Sequence, residues 1–106
     1  MSQRSDLADF MEQNFLRNVP LADLAKESGR SLSTFNRECK QIFKETPHRW
    51  IMKRRLEFAR GILLTTDKKI SEIYFLAGFQ DFTHFGKAFK KMFGLCPSAY
   101  RDQMKN

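Results

Sequence analysis

The sequence predicts an all-α fold of seven helices, with two helix-turn-helix subdomains joined by a long central helix. The first observation behind this is an internal repeat. Leu21-Ala22-Asp23-Leu24-Ala25, followed by Gly29, returns as Ile70-Ser71-Glu72-Ile73-Tyr74, followed by Gly78, an offset of 49. Phe43, Pro47 and Trp50 return as Phe93, Pro97 and Tyr100 at an offset of 50, so one residue is inserted between the two anchors. The second observation is apolar spacing at the helical period throughout, with no strand-like alternation. The third is punctuation: each copy reads as a helix, a glycine-containing turn, a second helix and a proline that stops or restarts the chain.

Each element follows from local chemistry. Residues 5–16 open with Ser5-Asp6 as cap and first turn, and Leu7, Phe10, Met11 and Phe15 fall on one face. Asn18-Val19-Pro20 breaks this helix, and Pro20 suits the first position of a second helix, 20–28, which buries Leu21, Leu24 and Ala25. Gly29 ends it, because glycine adopts positive φ without steric cost. Ser31 or Ser33 caps a third helix, about 32–43, with Phe35, Cys39, Ile42 and Phe43 inward. Thr46-Pro47 starts the central helix, 47–65, on which Met52, Leu56, Ala59 and Leu63 repeat at core spacing beside Trp50 and Ile62. Thr65-Thr66-Asp67 ends it. Ile70–Ala77 is the fifth helix, stopped by Gly78. Asp81 caps the sixth, about 82–93, whose inward stripe is Phe85, Phe89, Met92 and Phe93. Gly94 stops that helix, and Pro97 begins a seventh over 97–104. The subdomains are thus 5–46 and 66–106, joined by 47–65.

Composition bounds the partner. Hydrophobic residues make up 42% of 106, including 11 Phe, enough for a packed core. No run approaches the ~20 apolar residues of a membrane span, and the polar start is unlike a signal peptide, which points to a cytoplasmic protein without a membrane role. Cys39 and Cys96 fit reduced thiols better than a disulfide framework. The net charge of +7 suggests an anionic partner. Residues 1–29 carry a net charge of −2, residues 30–60 a net of +6 and residues 84–106 a net of +4. Positive charge is therefore concentrated in and after the second helix of each repeat, the helix that a DNA reader lays in the major groove. A central helix of about 18 residues at ~1.5 Å per residue spans about 27 Å, compatible with two reading helices on the order of one DNA turn apart.

These residues carry a family signature. Ile73, Ala77-Gly78-Phe79, Asp81, Phe85, Phe89-Lys90-Lys91-Met92-Phe93-Gly94, Pro97 and Tyr100-Arg101 resemble the signature region of the AraC/XylS bacterial transcription regulators. Leu24-Ala25, Gly29, Ser31, Phe35, Arg37, Phe43 and Pro47 match more loosely, and Trp50, Arg55-Leu56, Ala59 and Leu63-Leu64 resemble the linker helix. The resemblance spans about residues 5–104. It implies sequence-specific binding to double-stranded promoter DNA, usually as an activator that contacts RNA polymerase. The pattern is broken in three places. Cys39 stands where an aromatic is common, so looser packing is expected in the first subdomain. Gly86-Lys87 replaces a Ser/Thr-Arg pair, and lysine lacks arginine's planar two-pronged contact with guanine. Lys44 occupies the place of Gly94, so that helix end is expected to find another geometry.

A reading helix buries its apolar stripe and turns its N-terminal polar face to the groove. In the third helix that exposes Ser33, Thr34, Asn36 and Arg37. Arg37 suits bidentate guanine contact and Asn36 suits adenine. In the sixth helix the family's reading positions match Phe82, Thr83, His84 and Lys87. Phe82 either meets a thymine methyl or packs against the fifth helix, and Lys87 meets a base or a phosphate. Candidates for the DNA backbone are Ser31, Lys40, Arg49, Lys53, Lys90, Lys91 and Arg101, with Thr46 and Ser98 at helix starts where a phosphate can meet free N–H groups. Arg54 and Arg55 are expected to pair with Glu57 or Glu38, with a structural role favoured for Arg55.

Other classes fit less well. The chain has no glycine-rich phosphate loop, nucleophile motif or paired-carboxylate constellation, so no enzyme activity or cofactor is expected. Cys39, Cys96, His48 and His84 lack metal-ligand spacing, and no metal is expected. The rival reading is a helical protein-interaction module with a non-specific basic surface. The chain has no room for an effector-binding or dimerisation domain, which leaves a stand-alone regulator of minimal size or the DNA-binding end of a longer protein; the polar start a few residues before the first helix favours an excised C-terminal domain.

Overall fold

The computed structural model describes residues 3–104. Among them are seven helices: α1 (Gln3–Asn14), α2 (Leu21–Glu27), α3 (Leu32–Phe43), α4 (Pro47–Thr65), α5 (Ile70–Leu76), α6 (Phe82–Phe93) and α7 (Pro97–Met104). No described residue is in a strand. The chain forms two compact units that divide within α4, between Lys53 and Arg54. The first turns of α4 thus belong to the first unit and the rest to the second, whereas the sequence reading set the whole of 47–65 apart.

The first unit is built on an apolar core of Leu7, Met11, Phe15, Leu24, Ala25, Phe35, Cys39, Trp50 and Ile51. Phe43 stacks on Trp50 at 4.4 Å between centroids, and Phe15 meets the same indole edge-on at 6.2 Å. Two expectations shift here. Helix α1 already includes Gln3, so Ser5 lies inside it and is not its cap. Pro20 is the residue before α2, with extended ψ of 150°, because its missing N–H and fixed φ serve the cap position as well as the first helical one. Cys39 is fully buried, and burial pushes its thiol from the ordinary 9.0 up to about 11.

The second unit replaces mixed aliphatic packing by a chain of rings. Phe79 meets Phe85 at 5.0 Å, Phe85 meets Phe89 at 5.8 Å, and Phe89 meets both Phe93 (4.6 Å) and Tyr100 (5.5 Å). Leu56, Ala59, Leu63 and Ile73 are buried in this unit, and the Arg60 guanidinium lies 4.7 Å above the Phe93 ring. Met92, expected inward, is exposed: it sits at the edge of the stripe, near the helix end, where Phe93 takes the inward place.

The turns explain why two different cores share one backbone plan. Gly29 and Gly78, after α2 and α5, have φ of 80° and 85°. Helices α3 and α6 end in left-handed residues, Lys44 at φ 63° and Gly94 at φ 87°. Lys44 therefore does not find another geometry; the chain forces a lysine into the conformation that its counterpart reaches with glycine. Each of these residues donates its N–H to the carbonyl four residues back, Lys40 or Lys90, as the last bond of its helix.

Candidate nucleic-acid interface

Helices α3 and α6 are both twelve residues long and align at an offset of 50. Their starts are built alike. The Ser31 hydroxyl accepts the backbone N–H of Thr34 at 3.3 Å, and the Asp81 carboxylate accepts that of His84 at 3.0 Å. Ser33 takes no part as a cap, so the choice between Ser31 and Ser33 falls to Ser31. Phe35 and Cys39 anchor α3 in one core, while Phe85 and Phe89 anchor α6 in the other. The same first turns face solvent in both helices.

Of the expected reading residues, Ser33 and Arg37 are exposed on α3, with Thr34 and Asn36 half-buried. On α6, Phe82, Thr83, His84 and Lys87 are all exposed. Phe82 packs against α5, one of the two roles left open, and keeps an exposed half. Its ring meets Tyr74 of α5 edge-on at 5.2 Å, yet 50% of the residue remains accessible. His84 lies against the Phe79 ring, 6.0 Å between centroids. At the first position of α3 the structure adds an exposed side chain that the sequence reading passed over, Leu32. The signal that marks it is its register, one residue after the cap, as Phe82 is.

The basic residues divide into free and committed groups. Lys40, Arg49, Lys90 and Lys91 are exposed. Lys53 is also exposed, but its ammonium pairs with Glu45 at 3.2 Å, a contact that phosphate has to displace. Arg101, expected at the DNA backbone, is engaged within its own unit. Its guanidinium donates to the carbonyls of Leu63 (3.0 Å), Thr66 (3.2 Å) and Lys68 (2.7 Å), so it ties α7 to the end of α4 and the segment after it. These carbonyls lie at and beyond the last turn of α4, where helical partners run out and a fork of five N–H donors is well matched.

Arg54 pairs with Glu57 at 3.2 Å as expected, whereas Glu38 pairs with Arg30. Arg30 also donates to the Ser28 carbonyl at 2.8 Å, fastening the turn before α3 to the helix itself. Arg55 is half-buried and donates to the Gly78 carbonyl at 3.2 Å; loss of hydration lowers its pKa, in keeping with a structural role.

The helix starts at Thr46 and Ser98 are partly occupied from within. Thr46 Oγ1 accepts the N–H of Arg49 at 3.3 Å. At α7 the Cys96 thiol stands before Pro97 and is drawn below its ordinary range, first by the Ala99 backbone N–H and then by the Ser98 hydroxyl, 3.6 Å from Sγ. A phosphate at either end shares those donors. Both cysteines are free thiols, and no group of three His, Cys, Asp or Glu gathers among the described residues. No helix among them is long and apolar enough to cross a membrane.

Comparison with known proteins agrees with this geometry. A family model described as a helix-turn-helix domain matches residues 24–103. The HTH-type transcriptional regulator ExsA of Pseudomonas aeruginosa is 34% identical over 92 residues, which cover 87% of this chain and 33% of that protein. The transcriptional activator NphR of a Rhodococcus species is 38% identical over 98 residues, covering 88% of this chain and 28% of its own length. The chain thus spans about a third of the length of the curated relatives it matches. Among solved structures, the DNA-binding domain of AdpA, in complex with a target DNA, shares the fold with a TM-score of 0.89 at 21% identity, over 97% of this chain and 93% of that one. A transcriptional regulator with an AraC-type DNA-binding domain from Chromobacterium violaceum superposes with a TM-score of 0.83 at 28% identity, over 95% and 90% of the two chains. With its two capped helix-turn-helix units and this match over most of its length, the chain belongs to the AraC/XylS family of transcription regulators.

Proposed function

We propose that this domain regulates transcription by reading double-stranded promoter DNA in two major-groove segments, α3 serving one and α6 the other. The observation that carries the proposal is the matched presentation of the two helices. Cap, buried anchors and left-handed end coincide at an offset of 50, and the same N-terminal positions are left to solvent. In this reading Arg37 contacts guanine, Asn36 adenine, and Ser33, Thr34, Thr83 and His84 contact neighbouring base edges. Lys87 serves a base or a phosphate. Lys40, Arg49, Lys90 and Lys91 supply the phosphate contacts, supported at the rim by Ser31, Thr46, Lys53 and Ser98. Arg101 is left out of that set because its guanidinium is held by three carbonyls of its own unit.

The proposal extends to the whole regulator. Relatives about three times as long support a parent chain with a sensing or dimerisation domain, acting in the bacterial cytoplasm and contacting RNA polymerase as an activator. The test is selection from a random duplex pool, followed by salt-titrated fluorescence anisotropy on the enriched sequence and on a scrambled control. Two short enriched blocks one helical turn apart, bound far more tightly than the scramble, are expected. Equal affinity for both, with a shallow salt slope, would instead favour the helical protein-interaction module.

A further inference from the structure

Seven large hydrophobic side chains are exposed among the described residues, and two of them occupy equivalent places. Leu32 opens α3 directly after its Ser31 cap, and Phe82 opens α6 directly after its Asp81 cap; they are 43% and 50% accessible. The others show no such pairing in the repeated segments. Phe75 and Leu76 answer to Lys26 and Glu27, and Met92 answers to the half-buried Ile42. Isolated exposed hydrophobics need no explanation, but the same exposure at the same position of two differently packed helices does.

We infer that Leu32 is a base-reading residue, and that it and Phe82 each recognise the 5-methyl group of a thymine, one in each DNA segment. The inference rests on the DNA-reading function proposed above. Neither side chain has a hydrogen-bond donor or acceptor, so neither can read a base edge through polar contacts. The one apolar group that the major groove displays is the thymine C5-methyl. Helical spacing puts Leu32 one turn before Asn36 on the same row, as Ser33 stands one turn before Arg37. Leu32 is therefore at the groove-entering end of a row that already holds an adenine-reading side chain. On α6 the same row holds Phe82 and then Gly86, which has no side chain to compete for the space.

Partial burial strengthens the case. Each residue is anchored on its own unit by about half its surface, as the Phe82 ring is by Tyr74. Little side-chain freedom is then left to lose on binding, and the exposed half is a fixed apolar platform. Burying one methyl group against it contributes roughly a fourfold preference for thymine over the same base without its methyl.

The test uses the wild-type domain and the duplex enriched from the random pool. Each thymidine is replaced in turn by deoxyuridine, which removes the methyl and nothing else, and binding is followed by anisotropy. We expect one thymine in each block whose replacement weakens wild-type binding roughly fourfold. Leu32→Ala and Leu32→Gln should abolish the effect in one block and keep it in the other, and Phe82→Ala should do the reverse. Circular dichroism checks that each variant is folded, and the wild-type measurement stands without any variant. Enrichment of a sequence in which no methyl matters, or a methyl effect that survives Leu32→Ala in both blocks, overturns the role of Leu32 and leaves the DNA-reading function intact. No enrichment at all overturns that function, and Leu32 with it.

Discussion

Lys44 and Gly94 close the two long helix-turn-helix helices in one backbone conformation, with φ of 63° and 87°. A side chain in the left-handed region carries a cost of roughly 1–2 kcal/mol that glycine avoids, offset in part by glycine's larger entropy loss on folding. Lys44→Gly should therefore stabilise the domain by roughly 0.5–1 kcal/mol, and Gly94→Ala should destabilise it by about 1 kcal/mol. Urea unfolding followed by circular dichroism measures both. An unchanged midpoint for Lys44→Gly would mean that the lysine is not strained.

Arg37 is exposed on α3, where guanine contact is proposed for it. Arg37→Ala is expected to cost ~1–3 kcal/mol at the selected site and to relax preference at one base pair. Anisotropy against the site and its single-base variants decides this. An equal loss on random DNA would reduce Arg37 to a general cation.

Lys90, in the last turn of α6, is exposed. Its replacement by alanine should weaken binding to all sequences alike and lower the slope of log affinity against log salt by about one. A sequence-dependent loss would assign Lys90 to base reading.

Arg101 holds three carbonyls of the second unit with one guanidinium. Arg101→Met, which keeps the stem and removes the donors, should destabilise the domain by about 1–3 kcal/mol. The measurement is again urea unfolding, together with the salt slope on random DNA. A lowered slope without lost stability would return Arg101 to the phosphate contacts.

Burial of Cys39 predicts a pH effect with a definite sign. Its folded value of about 11 lies above the ordinary 9.0, so folding favours the neutral thiol. The contribution is full below pH 9 and is lost as pH rises through 9 toward about 11, because only the unfolded chain ionises readily there. Lysines also titrate in this range, so the observable is the difference between the wild type and Cys39→Ala. Wild-type stability should fall more steeply across that window.

Much of the fold was legible because its punctuation is chemical. Pro47, Asp81, Gly78 and Gly94 each act on the backbone next to them, and the bounds of α3, α4, α6 and α7 agree with expectation. The differences arise where a residue's conformation or partners are not set by its own type. Lys44 closes α3 in the left-handed conformation in which Gly94 closes α6. Arg101 reads in sequence as one more surface cation, since nothing local reveals that carbonyls more than thirty residues away converge on it. On α4 the apolar spacing runs through Met52, which is only half-buried, while its neighbour Ile51 lies in the core. At the candidate site, polarity marked the hydrogen-bonding residues and passed over Leu32, whose significance lies in its register with Phe82.

The caps of the two reading helices differ in one respect with consequences for salt. Ser31 closes α3 with a neutral hydroxyl, while Asp81 closes α6 with a carboxylate. Asp81 thus acts as a resident counter-ion at the positive end of its own helix and repels a phosphate that approaches there. The amino end of α3 has no such occupant and stays open to an outside anion. The halves of the domain are therefore unequal electrostatic partners: ionic strength should loosen the grip of the first half at its helix start, while the second depends more on the lysines toward the other end of α6.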